Sequence, residues 1–584
     1  MNMHSHTLSV LVRKVAEGRR FTTSVLFVGI VAFYYFTTAG NLSETDDVYA
    51  FAYRAENFPI THISDPRLML YHMLMRGLYV VGSAFSLDIS ALALMRFFSA
   101  MCAATALILV IRILTLNFKL SNFTAGMAAI VLGSSYGFWR YASEAEVYIP
   151  AILLCLLIYH LLAQYLDSQK LEKCSTGFKI SLVGSVAGLG VLFYQPAVIP
   201  LFFAFPVLFI TKEYKEGLVL LAQYLIPGSL VVGIGYLAGY FLYWQATFSL
   251  HSFIAFLSQR SDEFMIPTLS VKTVFVSLIR SAFSLSHDLV SANWIFGFDV
   301  VVQLINRAFS NNVIAEEVFL AQRAGWIVYF PIVSLILLLV VASRIVIVSW
   351  PLSLKRVLDT QTVTIIVWLL LYGAVVGRLN PAGIEAWIMA LPPLMILLAV
   401  FLFEACVVKQ KQSALMVFAG LLLVHNFVGG MFLVKNPEHE YDRVKGAWVI
   451  SQATVNDLVI VTDNAGLAEA MRYLSKSQIA LISSRTAPVL ADALLNKRLP
   501  IISISTFGRD FGGQSITALI EQAAKKSGRI ILFEEFYQTN NKVAMNLSKD
   551  QDSLTRLQRA MKRVHASSEV GSTYVMPANE FANR

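Results

Sequence analysis

The chain has 584 residues, of which 57% are hydrophobic and only 14% are charged, and its mean hydropathy is +0.63. Soluble domains carry about 25% charged residues, so the composition excludes an ordinary soluble protein and indicates an integral membrane protein. The net charge of +9 does not indicate nucleic-acid binding, because the basic residues are spread over short loops between apolar segments.

The apolar segments predict a polytopic α-helical protein with about 11 transmembrane helices. Basic residues recur in alternate loops, which places residues 1–20 in the cytoplasm by the positive-inside rule. We expect a bacterial inner-membrane protein whose transmembrane module covers residues 21–434. The expected spans are 21–40, 89–111, 121–138, 148–166, 180–194, 196–211, 218–244, 324–343, 360–377, 387–406 and 413–434.

This orientation puts four segments on the outer face. They are the outer loops 41–88, 139–147 and 245–323, and the chain after residue 435. In the first loop, the stretch 68–79 is interrupted by His72 and Arg76 and therefore predicts a helix lying along the membrane surface. In the third loop, we expect partly apolar helices near 253–264 and 271–283.

The segment 435–584 has the pattern of a small parallel α/β domain outside the membrane, because short apolar runs alternate with helical periodicity. The predicted strands are 457–462, 478–483, 500–505 and 529–534, and the predicted helices are 465–476, 487–496 and 512–526. The polar tail from about residue 548 is expected to end in a helix followed by disorder.

An acidic pair, Asp46 and Asp47, follows the first predicted helix on the outer face. Carboxylates held against a bilayer are costly, and they usually mark chemistry or ion handling. The alternative is an ordinary solvated loop.

Two further outer segments combine acids with aromatic and basic residues. The second loop carries Arg140, Glu144 and Glu146 between aromatic residues, and the tenth predicted helix opens with Arg378, Glu385 and Trp387. An interfacial aromatic belt is the alternative for each segment alone. Packed together with the first loop, they would form one acidic, arginine-bearing cavity at the outer leaflet.

Three motifs resemble those of the GT-C glycosyltransferases over about residues 20–435. These are the acid-rich first outer loop with the amphipathic stretch 68–79, the opening of helix two at 93–100, and Trp139-Arg-Tyr-Ala-Ser-Glu-Ala-Glu-Val-Tyr148. The third motif is similar to a signature of the protein O-mannosyltransferase-like branch. Asp65-Pro66-Arg67-Leu68 departs from the His-Pro-Leu-Tyr of many members, which puts the role of His72 in doubt.

The resemblance implies an inverting glycosyltransferase that moves a sugar from a polyprenyl-phosphate donor to a protein, lipid or glycan at the outer face. It implies a catalytic base in the first outer loop, which maps to Asp47 or Asp46. Arginines would bind the donor phosphate, and Glu44, Glu144 and Glu146 would hold Mg²⁺ or Mn²⁺ if a divalent cation is used. The phosphate-binding candidates are Arg54, Arg140, Arg260 and Arg378, and the substrate-binding candidates are His72, Tyr148, Glu385 and Trp387.

Other functions remain as alternatives. A secondary transporter would carry ionisable residues near the bilayer midplane in repeated, broken helices, and the sequence has no internal repeat. A flippase for polyprenyl-linked sugars would need charges along a central path. An O-antigen-ligase-like enzyme would share the large outer loop but not the acidic pair after the first helix.

Overall fold

The helices follow one another along most of the chain. The computed structural model describes residues 23–42, 47–59, 65–86, 88–167, 173–244, 248–257, 270–308, 315–350, 358–381, 383–461, 465–475, 479–482, 499–503, 516–533, 556, 559, 562–567 and 571–582. Its first fourteen α-helices are α1 (Thr23–Phe36), α2 (Asp47–Asn57), α3 (Met69–Ala84), α4 (Ala91–Arg112), α5 (Asn122–Ser134), α6 (Tyr136–Ala142), α7 (Tyr148–Asp167), α8 (Lys173–Phe193), α9 (Tyr214–Trp244), α10 (Leu250–Leu257), α11 (Val271–Leu289), α12 (Asp299–Ala308), α13 (Ala315–Arg323) and α14 (Phe330–Ser349). The later ones are α15 (Thr360–Leu379), α16 (Ile384–Trp387), α17 (Leu391–Leu398), α18 (Glu404–Val408), α19 (Gln412–Asn426), α20 (Tyr441–Gln452), α21 (Ala465–Leu474), α22 (Ile516–Lys525) and α23 (Ala578–Ala582).

The chain forms two compact units. Unit 1 comprises Met1–Thr38, Arg54–Ala292 and Tyr329–Met431. Unit 2 comprises Ala39–Tyr53, Asn293–Val328 and Phe432–Arg584. Unit 2 therefore contains the C-terminal segment together with parts of the first and third outer loops.

Unit 1 is helical and apolar. Within the described residues, seven helices are long and apolar enough to cross a membrane, and four shorter apolar helices accompany them. These eleven segments coincide with the eleven expected spans, although the number that crosses the bilayer stays a prediction. The fold class expected from the sequence, a polytopic α-helical membrane protein with a C-terminal α/β domain, is confirmed.

Exposed apolar side chains show which helix faces meet lipid. On α14, Val333, Ile336 and Val340 are all exposed, and α9 exposes Ile226 and Ile234 in the same way. Such continuous apolar surface is unfavourable in water and favourable in a hydrocarbon layer. The protein is therefore an integral membrane protein.

Local capping residues explain where several helices begin. Ser90, Ser121 and Asp359 precede α4, α5 and α15, and each side chain accepts a hydrogen bond from the backbone N–H three residues later. Ser270 and Thr273 form a reciprocal capping box at the start of α11. These bonds satisfy N–H groups that have no partner inside the helix.

A buried amide joins three helices of unit 1. The Asn426 Nδ2 atom donates to the carbonyls of Ser134 at 2.7 Å and Leu289 at 2.9 Å, and its Oδ1 atom accepts from the Ser291 N–H at 2.8 Å. Each carbonyl lies at the end of a helix, α5 or α11, where it lacks an intrahelical partner. Asn426 at the end of α19 thus fixes α11, from the third outer loop, to the apolar helices.

Unit 2 contains a six-stranded mixed sheet. Its strands are β1 (Leu458–Val461), β2 (Ile479–Ile482), β3 (Leu499–Ser503), β4 (Arg529–Phe533), β5 (Lys562–Ser567) and β6 (Gly571–Pro577), in the order β2-β3-β1-β4-β6-β5. The first four strands are parallel, as predicted from the sequence, and β6 pairs antiparallel with β4 and β5. The predicted helix 487–496 lies outside the described residues.

The prediction for the C-terminal tail was correct for a terminal helix but missed two strands. Residues 562–567 and 571–577 form β5 and β6, and the five residues of α23 follow them. The sequences of these two strands mix polar residues with apolar ones, as in Gly571-Ser-Thr-Tyr-Val-Met-Pro577. That mixture resembles the composition of a solvated tail.

An ion pair connects the start of β1 to β4, between a buried aspartate and a partly exposed arginine. Asp457 is 1% exposed, and its carboxylate accepts from the Arg529 side chain at 2.8 Å and from the backbone N–H groups of Thr454 and Arg529. Burial acts to raise the pKa of Asp457, but these hydrogen bonds outweigh it and leave the pKa below its ordinary value. The carboxylate therefore stabilises the folded state in its ionised form.

We predict that Asp457→Asn destabilises the sheet by about 2 kcal/mol at pH 7, the typical value of hydrogen bonds to a charged group. Because the folded-state pKa is lowered, the difference from wild type should be complete above about pH 4 and disappear as the pH falls further. Hydrogen exchange of the β1 and β4 amides at pH 7 and pH 3 measures it. The exposed Asp299, changed to Asn, is the control. A difference that persists undiminished at pH 3 would contradict the assignment.

Candidate active site

The second predicted outer loop is part of the core of unit 1. Every residue from 136 to 147 is buried, with α6 followed by a tight turn into α7. Trp139 donates to the Thr37 hydroxyl at 2.8 Å and stacks on Phe427 with ring centroids 6.2 Å apart. The aromatic residues of this motif therefore pack the acids into the protein interior.

Glu144 is an acid fully buried between two arginines. One carboxylate oxygen pairs with the Arg140 guanidinium, and the other pairs with Arg96 of α4 at 3.1 Å. Arg140 is also fully buried. A buried carboxylate is stable only when its charge is compensated. The three residues therefore form an ion-pair network that connects α4 and α6.

This arrangement argues against two roles expected from the sequence. Arg140, expected to bind donor phosphate, already compensates a buried carboxylate and has no exposed surface. Glu144, expected to be a metal ligand, uses one oxygen for each of two arginines. In the structure, both residues hold the segment that precedes Glu146, and their phosphate-binding and metal-binding roles stay predictions.

Glu146 lies beside a group of tyrosines. Its charge and that of Glu385 act on both Tyr148 and Tyr194. The rings of Tyr148 and Tyr194 meet edge to face at 5.6 Å, and a hydrogen bond links the hydroxyls of Tyr194 and Tyr372. We call Glu146, Tyr148, Tyr194, Tyr372 and Glu385 the tyrosine–carboxylate cluster. The structure thus brings together three residues that the sequence predicted separately: Glu146, Tyr148 and Glu385.

The cluster is held by backbone contacts and lies near a positive charge. The Tyr372 hydroxyl of α15 donates to the Ala386 carbonyl at 2.8 Å, which fixes the short helix α16 that carries Glu385. The Arg67 backbone carbonyl accepts from the Gln195 N–H at 2.9 Å, and the Arg67 charge acts on Tyr194. Carboxylates and phenol hydroxyls side by side offer the acceptors and donors that sugar hydroxyls require.

The other substrate candidates lie around this cluster. His72 is buried in α3 next to Tyr71, a tyrosine on which the charge of Glu146 also acts. Trp387 is buried at the end of α16, where its ring packs over Gly373 of α15. Arg378 is half-buried near the end of α15.

A buried acid in the third outer loop was missed by the sequence analysis. Asp288 in α11 is fully buried, and a Cβ atom on Gly137 would lie 2.3 Å from one of its carboxylate oxygens. The next side chain, His287, meets Tyr136 edge to face at 5.0 Å. Gly137 therefore permits the close approach of α11 to α6. The loop sequence contains no periodic signal for this contact.

Asp47 is the first residue of α2 and belongs to unit 2. Its side chain is exposed, whereas Arg54, one turn from the other end of α2, is half-buried and belongs to unit 1. Asp46, Glu44 and Arg260 lie outside the described residues. The convergence of the first-loop acids with Glu144 and Glu146 stays a prediction.

The described residues contain no group of three or more histidine, cysteine, aspartate or glutamate side chains that could hold a metal ion. Each carboxylate oxygen of Glu144 already pairs with an arginine. Of the predicted Mg²⁺ or Mn²⁺ ligands in the described ranges, this leaves Glu146. These residues do not fit the expected metal site.

The fold was compared with known proteins. No protein-family model and no curated protein sequence matches the chain. The oligosaccharyltransferase of Archaeoglobus fulgidus, solved with Zn and sulfate, aligns over 94% of this chain and 72% of its own, with 13% identity and a TM-score of 0.46. ArnT from Cupriavidus metallidurans bound to undecaprenyl phosphate aligns over 94% and 97%, with 10% identity and a TM-score of 0.40.

The arabinosyltransferase EmbB from Mycobacterium smegmatis aligns over 68% of this chain and 42% of its own, with 14% identity and a TM-score of 0.31. At these identities, the alignments assign no activity to this chain.

Glu144 and Glu146 should respond differently to the same substitution. Glu144→Gln leaves the buried Arg140 without its compensating charge, so we expect a loss of about 3–5 kcal/mol in stability. Glu146→Gln removes a carboxylate beside Tyr148 and Tyr194, and we expect it to cost less stability than Glu144→Gln. Thermal unfolding of the purified protein in detergent compares the two variants. Equal unfolding temperatures for both would contradict the positioning role of Glu144.

Proposed function

We propose that the protein is an inverting glycosyltransferase that moves a sugar from a polyprenyl-phosphate donor to an acceptor at the outer face of the membrane. The observation that carries the proposal is the placement of Asp47. It is an exposed carboxylate at the start of α2, and the five residues that follow it are all buried. A carboxylate presented to solvent from a packed helix suits a general base.

The chemistry is a single displacement. The acceptor hydroxyl attacks the anomeric carbon on the face opposite the polyprenyl phosphate, and Asp47 takes the hydroxyl proton as the new C–O bond forms. The bond between the anomeric carbon and the phosphate oxygen breaks, and its electron pair leaves with the phosphate. One displacement inverts the configuration at the anomeric carbon.

The leaving phosphate needs positive charge, and the sugar needs hydrogen-bonding groups. Arg378 and Arg54 remain the described candidates for the phosphate, and Arg67 joins them because its charge lies beside the tyrosine–carboxylate cluster. Within unit 1, the tyrosine–carboxylate cluster offers such hydrogen-bonding groups. His72 and Trp387 remain further candidates for the sugar. The apolar helices of unit 1 provide the hydrocarbon environment that a polyprenyl tail requires.

We predict that Asp47→Asn lowers transfer at least 100-fold, because the amide cannot accept the proton. The measurement is transfer of label from a panel of radiolabelled polyprenyl-phosphate sugars to membrane acceptors by the reconstituted protein. Asp88→Asn, an exposed acid between α3 and α4, is the matched control.

Asp46→Asn belongs in the same assay, since the adjacent acid is the alternative base. Full transfer by both Asp47→Asn and Asp46→Asn would eliminate the proposed base. Movement of the labelled lipid across the membrane without transfer would favour a flippase instead.

A phosphate-binding role for Arg378 predicts a change in donor affinity. Arg378→Gln should raise the KM for the donor about 10-fold, the size expected for a lost charge-assisted hydrogen bond, and Arg378→Lys should recover part of it. Arg344→Gln in α14 is the control, because it lies at the predicted cytoplasmic end of that helix. An unchanged donor KM in Arg378→Gln would remove this residue from the site.

A further inference from the structure

Helix α2 buries the five residues that follow the exposed Asp47. Val48, Tyr49 and Phe51 are at most 3% exposed, and Ala50 and Ala52 are also buried. A helix of 11 residues is too short to be stable in water by itself. Its position, and that of the carboxylate at its first turn, therefore depends on what its buried side chains contact.

Two tyrosines one turn apart fasten α2 within unit 2. The Tyr49 hydroxyl donates to the Glu440 carboxylate at 2.5 Å, and its ring lies 5.7 Å from that of Tyr473. The Arg472 guanidinium lies 4.0 Å above the Tyr53 ring, a cation–π distance. Residues at i and i+4 share one helix face, so both contacts hold the same side of α2.

The chain that precedes α2 is held by the same segment of unit 2. The N–H groups of Gly40 and Asn41 both donate to the Val434 carbonyl at 2.9 Å, and the Asn41 side-chain amide donates to the His439 carbonyl at 2.7 Å. A Cβ atom on Gly40 would lie 2.2 Å from the Lys435 carbonyl oxygen. This approach of two backbones therefore requires glycine at position 40.

The hydrogen bond between Tyr49 and Glu440 is buried. Glu440 is fully buried and Tyr49 is 3% exposed. Burial, followed by the charge and the hydrogen bond of Glu440, raises the pKa of Tyr49 well above its ordinary value. The tyrosine thus stays protonated and donates a hydrogen bond to the carboxylate throughout the physiological range. A charge-assisted bond of this kind is strong and directional.

We propose that Tyr49, Glu440 and Arg472 are positioning residues for the transferase reaction, which fix α2 so that the Asp47 carboxylate meets the acceptor hydroxyl. The C-terminal α/β domain thereby contributes directly to catalysis, through the residues that flank α20 and lie in α21. This inference rests on the proposed function. Small displacements of a catalytic group cost up to about 100-fold in rate, so loosening the helix should lower turnover.

The first test removes one hydroxyl. Tyr49→Phe keeps the ring that packs on Tyr473 but loses the bond to Glu440. We expect kcat for radiolabelled polyprenyl-phosphate sugar transfer to fall about 10-fold, with the donor KM unchanged. The matched control is Tyr441→Phe, which removes a buried hydroxyl that accepts from Lys445 on α20. Equal losses in the two variants would overturn the proposal, because they would reflect general destabilisation.

The second test compares a conservative and a non-conservative substitution of Glu440. Glu440→Gln retains an oxygen that can accept the Tyr49 proton, so we expect activity within about 2-fold of wild type, whereas Glu440→Ala should match the kcat of Tyr49→Phe. Gly40→Ala should lower kcat in the same way. Full activity in both Glu440→Ala and Tyr49→Phe would refute the positioning role.

The outcome separates this inference from the proposed function. If Asp47→Asn is inactive and Tyr49→Phe is fully active, the assignment of Asp47 as the base is supported and the positioning role of Tyr49 is refuted. If both Asp47→Asn and Asp46→Asn are fully active, the proposed base fails, and the positioning role fails with it.

Discussion

The buried carboxylate of Glu144 is the constraint on which the packing of α4 against α6 in unit 1 depends. An ionised acid in a protein interior is tolerated only with compensating charge, and here Arg96 and Arg140 supply it from two helices. Because both arginines must reach the same carboxylate, α4 and α6 have little freedom to move apart. The turn after Glu144 then places Glu146 beside Tyr148 and Tyr194.

The same principle recurs at two other buried polar side chains. Asn426 satisfies two helix-end carbonyls and one N–H in unit 1, and Asp457 binds Arg529 between strands of unit 2. In each case, one polar side chain joins segments that are far apart in sequence. Hydrophobic burial places the elements broadly, but it is not directional, and these bonds specify how the elements meet.

Much of the architecture could be predicted because apolar periodicity is local. The eleven apolar segments and the four parallel strands all follow from runs of hydrophobic residues. The β5 and β6 strands could not be predicted, because polar residues interrupt the apolar pattern in both. Within the site, the sequence identified Glu146, Tyr148 and Glu385 but not Tyr194 or Tyr372, since a tyrosine in an apolar segment is usually core.

The sequence by itself determined the class of protein, the order of its apolar helices and the presence of an α/β segment, because hydropathy acts residue by residue. Only the tertiary structure decided what each charged side chain does. Arg140 and Glu144 have the composition of a phosphate and metal site, yet they compensate each other in the interior. That difference depends on which groups surround a charge, and such neighbours come from distant parts of the chain.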